Sequence, residues 1–181
     1  MSGFQFIKDI GRDGGSVQRY HVLSSHASIL APGDHVILTG TAHTDGVAEV
    51  DAATAGAVFL GVIVAVAPDY ANETLNEQGL PASTAGYVYV NQSPTAQYEV
   101  AGDGSTALAV TDVSLNFDSI VTAATRSGGT TRSNFTLDTT TSGVNTVAQW
   151  KVIGLVDGDV TTAQKIIVQP VELYSLTSAG A

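Results

Sequence analysis

The stretch YVYVNQSPTAQYEVAGDG, residues 87 to 104, predicts two β-strands joined by a tight turn. Large apolar residues alternate with smaller polar ones as far as Pro94, and the alternation then resumes and stops at Asp103-Gly104. A period of two gives each face of a strand its own set of side chains, and Pro and Asp-Gly are typical of turns. Because the stretch holds no histidine and no cluster of metal-ligating residues, we expect it to serve as structure.

The rest of the chain repeats this pattern. No segment sustains a convincing helical period of 3.6 residues, and Pro, Gly and Asp separate short runs that favour strands. The predicted strands are 20–23, 35–39, 47–50, 57–66, 86–91, 96–100, 107–113, 134–138, 147–156 and 165–174. Many short strands at this spacing predict an all-β fold, a single antiparallel β-sandwich or barrel.

The first 20 residues differ in composition from the remainder of the chain. An apolar run from Phe4 to Ile7 precedes the Gly-rich GRDGGS, and three basic residues outnumber two acidic ones on an otherwise acidic chain. We therefore predict an extended N-terminal arm over residues 1–20 and a β-domain over residues 21–181. We also expect that removing the arm leaves the melting behaviour of the domain nearly unchanged.

Composition excludes several classes of function. The chain has 181 residues, with 17 acidic against 7 basic ones and a formal charge of −10, which repels nucleic acids and anionic membranes. The longest apolar run, residues 57–67, is shorter than the ~20 residues of a membrane helix. The amino terminus does not have the pattern of a secretory signal, and the chain has no cysteine for disulfides or thiolate metal sites.

A search for catalytic or metal-binding residues finds no convincing pattern. In HTDGVAEVDAATAG, the residues His43, Asp45 and Glu49 approximate part of the cupin metal motif, but Ile37 stands where its opening Gly belongs and no later histidine follows. We expect the histidines at turns and strand ends, partly solvated, with no metal site. No serine lies in a Gly-x-Ser-x-Gly elbow. The sequence therefore predicts a protein that is not an enzyme and has no cofactor.

The order of the strand segments carries a resemblance. The segments are PGDHVIL from residue 32, GAVFLGVIVAV from 56, GYVYVNQSPTAQYEVAGDG from 86, SNFTLDTTTSGVNTVAQWKVIGLVDGD from 133 and KIIVQPVELYSL from 165. Their order resembles that of the small capsid decoration, or cement, proteins of tailed bacteriophages. The resemblance covers most of the chain from about residue 32, and residues 1–20 match least well.

The resemblance implies an all-β protein, jelly-roll-like or alternatively β-tulip-like, that binds the outer surface of an assembled icosahedral capsid and stiffens it. Its partners would be the major capsid protein and further copies of itself, commonly as a trimer. It would be made in the host cytoplasm and then reside on the virion.

Two regions of the sequence are candidates for contacts with the capsid or with another copy. One is the arm, and the other is the Thr/Ser/Gly-rich stretch from residue 122 to 145, which we interpret as an exposed loop leading into an edge strand. The candidate residues are Phe4, Phe6, Ile7, Lys8, Arg12, Arg19, Arg126 and Arg132.

Two alternatives remain open. One is a carbohydrate- or receptor-binding β-sandwich of a phage fibre, for which exposed aromatic side chains would be the sign. Trp150 is the only tryptophan, and its alternation with apolar neighbours in VAQWKVIGLV predicts core packing instead. The other is a cupin-like metal-binding protein that uses His43, Asp45 and Glu49.

Overall fold

The structure, a computed structural model, describes residues 3–10, 16–68, 78–127, 130–140, 148–156 and 164–173. Over these residues, the regular structure consists of β-strands and a single 3₁₀ turn, Val110–Asp112. The predicted all-β class is confirmed. Within the same ranges, no helix has the length and apolar character needed to cross a membrane.

The strands are β1 (Gln5–Asp9), β2 (Val17–Val22), β3 (His35–Ala42), β4 (Ala48–Ala52), β5 (Gly61–Val66), β6 (Gly86–Asn91), β7 (Ala96–Ala101), β8 (Asn116–Phe117), β9 (Ser119–Ile120), β10 (Thr125–Ser127), β11 (Thr130–Arg132), β12 (Thr136–Leu137), β13 (Trp150–Leu155) and β14 (Lys165–Pro170).

Five strands close into a small barrel in the order β2-β4-β3-β5-β6, and β6 returns to pair with β2. All pairs are antiparallel except β2 with β4, which run parallel across a short contact that includes His21 and Glu49. Because the barrel closes on itself, it leaves few unpaired strand edges.

The remaining long strands form an open antiparallel sheet in the order β1-β7-β14-β13-β8. The predicted pair of strands in residues 87–104 is present as β6 and β7, but the two strands belong to different sheets. The stretch therefore connects the barrel to the open sheet. Two short ladders, β10 with β11 and β9 with β12, complete the described pairing.

Two hydrophobic clusters support the two regions. The barrel core is mostly aliphatic, with Val22, Val36, Ile63 and Val88 among its members. The sheet core is richer in aromatic rings, and its buried members are Phe4, Ala53, Phe59, Val62, Ala96, Tyr98, Val100, Leu108, Phe117, Phe135, Leu137, Trp150, Val152, Ile166, Val168 and Leu173. Since the sheet core includes Val62 of β5, the two regions pack against one another.

The N-terminal segment corrects the prediction of an arm over residues 1–20 that lies apart from the domain. Residues Gln5–Asp9 form the first strand of the open sheet, and residues Val17–Val22 form a strand of the barrel. The Phe4 ring is 2% exposed and stacks on Trp150 with 4.3 Å between ring centroids. The apolar run at the start of the chain is therefore part of the fold, and removing it takes a side chain out of the core.

Two further expectations about the strands change. Residues 107–113 do not form a strand, because the carboxylate of Asp112 accepts a 2.7 Å hydrogen bond from the Ala109 amide and closes the 3₁₀ turn, with Val110 on the surface.

The jelly-roll expectation is not met either, since a jelly roll places eight strands in two sheets and here five strands close on themselves.

Candidate interaction surface

The open edge of β1 carries several exposed apolar side chains. Within the described residues, β1 pairs with β7 on one side and with no strand on the other. Three of the seven exposed large apolar side chains of the described residues lie on β1 or directly after it: Phe6 at 45%, Ile7 at 43% and Ile10 at 52%. An edge with unpaired main-chain groups and apolar side chains is suited to pairing with another chain.

A β-bulge interrupts β1 at its two exposed apolar side chains. The register of β1 against β7 shifts between Phe6 and Lys8, so Ile7 has no direct partner on β7. A bulge interrupts the strict alternation of faces and re-aims the side chains beside it. Four consecutive residues, Gln5 to Lys8, are exposed, so both faces of β1 are open to solvent around the bulge.

The predicted contact residues of the N-terminal segment separate into different environments. Phe6, Ile7 and Lys8 are exposed on β1, as a contact role requires. Phe4 is buried in the sheet core, so the hypothesis that it contacts a partner is corrected. Arg12 lies outside the described residues.

Arg19 is engaged within the chain. Its guanidinium lies 3.6 Å from an Asp45 carboxylate oxygen and 4.6 Å from the centroid of the Tyr87 ring. The side chain is still 49% exposed, and surface ion pairs of this kind contribute little to stability, typically less than about 1 kcal/mol. Arg19 can therefore leave Asp45 for a partner at small cost.

Arg126 and Arg132 lie on the β10–β11 hairpin, within the stretch predicted to be an exposed loop. Both side chains are exposed, and the two residues stand on opposite strands of the hairpin. Only Arg132 belongs to the lining of a groove of about 270 Å³, which it shares with Phe4, Gln5 and Phe6 of the N-terminal segment. The structure thus brings together candidates from the N-terminal segment and from the later stretch.

The groove lies where the barrel, the open sheet and the hairpin meet. Its lining residues are Phe4, Gln5, Phe6, Pro32, Gly33, Val62, Ile63, Val64, Gln78, Tyr98, Thr130, Thr131 and Arg132. Among these described residues the only charged side chain is that of Arg132, and none is acidic. On a chain of charge −10, the described lining of the groove thus carries one positive charge.

A polar cluster on the outside of the barrel includes the residues of the partial cupin motif. His43 Nδ1 lies 2.9 Å from a carboxylate oxygen of Asp45, and His21 Nδ1 lies 3.2 Å from one of Glu49. The two imidazoles stack with 4.0 Å between centroids, and the Tyr87 hydroxyl donates a 2.6 Å hydrogen bond to Asp45. That hydrogen bond is the main reason that the pKa of Asp45 is lowered.

The carboxylates of this cluster are thus occupied by neighbours. In the part of the chain that the structure describes, no group of three His, Cys, Asp or Glu side chains is placed to hold a metal ion. Sequence reasoning placed His43, Asp45 and Glu49 together but missed His21 and Tyr87. The parallel register of His21 with Glu49 joins them, and a single sequence does not reveal that register.

Ser119 and His35 are in contact in the sheet core, but their geometry does not activate the serine as a nucleophile. Ser119 Oγ lies 2.8 Å from His35 Nε2 and also donates its proton to the Gln149 side-chain oxygen. Because a hydroxyl has one proton, His35 must donate from Nε2 and cannot act as a base toward Ser119. Both residues are buried, at 1% exposed or less, so no substrate reaches them.

Burial shifts the pKa values of two adjacent residues at the junction of barrel and sheet. Desolvation raises the pKa of Asp34 to about 7, although hydrogen bonds from Ser133 and the Ala31 amide oppose it. Desolvation lowers the pKa of His35 to about 3. Three of the four histidines, His21, His26 and His35, are buried, so the expectation of partly solvated histidines holds only for His43.

Trp150 is fully buried on β13, which confirms the prediction of core packing and leaves its indole unavailable for stacking on a sugar.

No model of a known protein family matches this chain. A search of curated proteins finds no match either.

Proposed function

We propose that this protein is a structural decoration protein that binds the outer surface of an icosahedral phage capsid and stabilises it through non-covalent contacts. The observation that carries the proposal is the unpaired edge of β1, with Phe6 and Ile7 exposed on it. The order of strand segments that resembles capsid decoration proteins supports the same conclusion.

The chemistry of the edge suits this role. A strand with a free edge can add to the sheet of a neighbour through main-chain hydrogen bonds, while its exposed side chains give specificity. A stable interface buries roughly 1,200 to 2,000 Å² in total, so the β1 edge supplies one part of the contact. Several weak contacts on adjacent capsid subunits, or three copies joined as a trimer, would raise the overall affinity by avidity.

The distribution of charge fits the outside of a shell. The protein carries 17 acidic and 7 basic residues, and a negative surface is repelled by packed DNA. Two of the basic residues lie at the proposed contact, Lys8 on β1 and Arg132 in the lining of the groove. Electrostatic repulsion between this acidic chain and an acidic partner would therefore be weaker at that place.

The proposal is tested by sedimentation with assembled shells. The major capsid protein encoded nearest to the gene of this protein is assembled into shells, which are incubated with the purified full chain and pelleted. We expect the protein to pellet with the shells at a fixed stoichiometry. Protein that stays in the supernatant at micromolar shell subunits would contradict the proposed function.

A substitution at the edge sharpens that test. Ile7→Lys places a charge on the exposed bulge, and we expect shell affinity to fall by about tenfold or more because an apolar contact is lost and an ammonium is desolvated. The matched control is Ile153→Lys on β13, another exposed apolar residue, away from the β1 edge. Equal losses for both variants would show that the β1 edge is not the contact.

A further inference from the structure

The groove beside β1 points to a specific kind of partner. We infer that it receives an extended peptide segment of the shell protein, with an apolar side chain seated on the aromatic floor and an adjacent acidic side chain paired with Arg132. This inference rests on the proposed function, because it takes the occupant to be part of the shell.

Two unpaired strand edges flank the groove. Gln5 and Phe6 belong to β1, the outermost strand of the open sheet, and Thr130 to Arg132 belong to β11, whose only strand partner among the described residues is β10. A peptide lying between them can hydrogen-bond to main-chain groups on either side, which is the geometry of strand addition.

The size of the groove favours a short segment. Its volume of about 270 Å³ lies just below the range of roughly 300 to 1,000 Å³ that holds drug-sized ligands. Phe6 and Tyr98 line it as an edge-to-face pair with 6.0 Å between ring centroids. An aliphatic side chain of the peptide would cover the exposed part of the Phe6 ring.

The charge of the groove lining favours one type of residue next to the apolar side chain of the peptide. Arg132 is exposed. Among the described residues, none that lines the groove is acidic, and none forms an ion pair with Arg132. An arginine guanidinium binds a carboxylate through two parallel hydrogen bonds more readily than it binds a neutral amide. An acidic side chain in the peptide is therefore preferred over a neutral or basic one.

The experiment titrates ¹⁵N-labelled full-length protein with three blocked pentapeptides that differ at one position: acetyl-TVEVT-amide, acetyl-TVQVT-amide and acetyl-TVKVT-amide. We expect amide shift changes confined to residues that line the groove, with the glutamate peptide binding at least threefold more tightly than the lysine peptide. Arg132→Gln should bring the affinities of the glutamate and glutamine peptides together.

Arg126→Gln is the matched control, since it removes the same charge from the same hairpin outside the groove. We expect it to keep the preference for glutamate. The inference is overturned if no peptide gives localised shifts at millimolar concentration, if the glutamate and lysine peptides bind equally well, or if both arginine variants lose the preference alike.

Sedimentation of the same proteins with shells separates this inference from the proposed function. If the wild-type protein pellets with shells but the peptide titration fails, the inference of peptide binding in the groove is overturned and the proposed function is unaffected. Wild-type protein that remains in the supernatant overturns the proposed function itself.

Discussion

The barrel and the open sheet are built from strands of similar length, but they differ in how their edges and cores are completed. The barrel closes when β6 pairs with β2, and its core consists largely of valine, leucine and isoleucine from nearby strands. Among the described residues, the sheet ends in two edge strands, β1 and β8, each paired on one side only. Its core takes Phe4 from the beginning of the chain and Trp150 from a strand far along it.

This difference indicates where contacts with other molecules can form. A closed barrel satisfies its main-chain groups internally, so its outer face is free to carry polar clusters such as His43 with Asp45. Among the described residues, the main-chain groups on the outer side of β1 have no partner strand, and exposed apolar side chains lie at that same edge. Under the proposed function, the sheet would therefore make the contacts, and the barrel would support it.

The largest expected effect tests whether the sheet core depends on the start of the chain. Phe4→Ala removes a buried ring stacked on Trp150, and truncations of this kind lower the free energy of unfolding by about 3–5 kcal/mol. Phe6→Ala, two residues away and 45% exposed, should lower it by only about 1 kcal/mol. Urea unfolding followed by Trp150 fluorescence measures both.

If Phe4→Ala is as mild as Phe6→Ala, the N-terminal segment does not complete the core, and the contrast between locally built barrel and long-range sheet fails. In that case the expectation of an arm separate from the domain would be restored.

The second prediction concerns the junction between the two regions, where Asp34 and His35 are adjacent. The pKa of Asp34 is raised from 3.8 to about 7, so between these values the folded state keeps a proton that the unfolded chain has lost, and stability falls as pH rises. The pKa of His35 is lowered from 6.5 to about 3, so between these values the unfolded chain carries the extra proton, and stability rises with pH.

The two effects oppose each other between about pH 4 and pH 6.5, each with a slope of about 1.4 kcal/mol per pH unit. Asp34→Asn keeps a side-chain oxygen for the Ala31 amide but removes the acid. The slope of the unfolding free energy against pH should then become more positive by about 1.4 kcal/mol per unit in this range. Urea unfolding at half-unit steps of pH measures it, and parallel curves for the variant and wild type would mean that Asp34 is ionised in the folded protein.

Much of the barrel could be predicted from the sequence, because its strands are either continuous apolar runs or runs that alternate apolar and polar residues, and turn residues separate them. Gly33 and Gly46 fall at predicted breaks and have φ values of +96° and +83°, a conformation that glycine adopts readily. The strand predicted at 86–91 matches β6 residue for residue.

The open sheet was predicted less well, for two physical reasons. The edge strand β8, with two residues, is too short to show a period. The sheet also joins β1 to β7 across about 90 residues, and a single sequence carries no signal of which distant strands pair. For the same reason, the exposed residues of the candidate site were found but the burial of Phe4 and the groove shared with Arg132 were not.

The smallest expected effect tests the support role of the barrel's outer face. The Tyr87 hydroxyl is the main cause of the lowered pKa of Asp45, and Tyr87→Phe removes that donor while keeping the ring beneath Arg19. The pKa of Asp45, measured by carboxyl NMR titration, should rise toward its ordinary value, and shell binding should not change. A loss of shell binding in this variant would place a contact on the barrel and end the division of roles between the two regions.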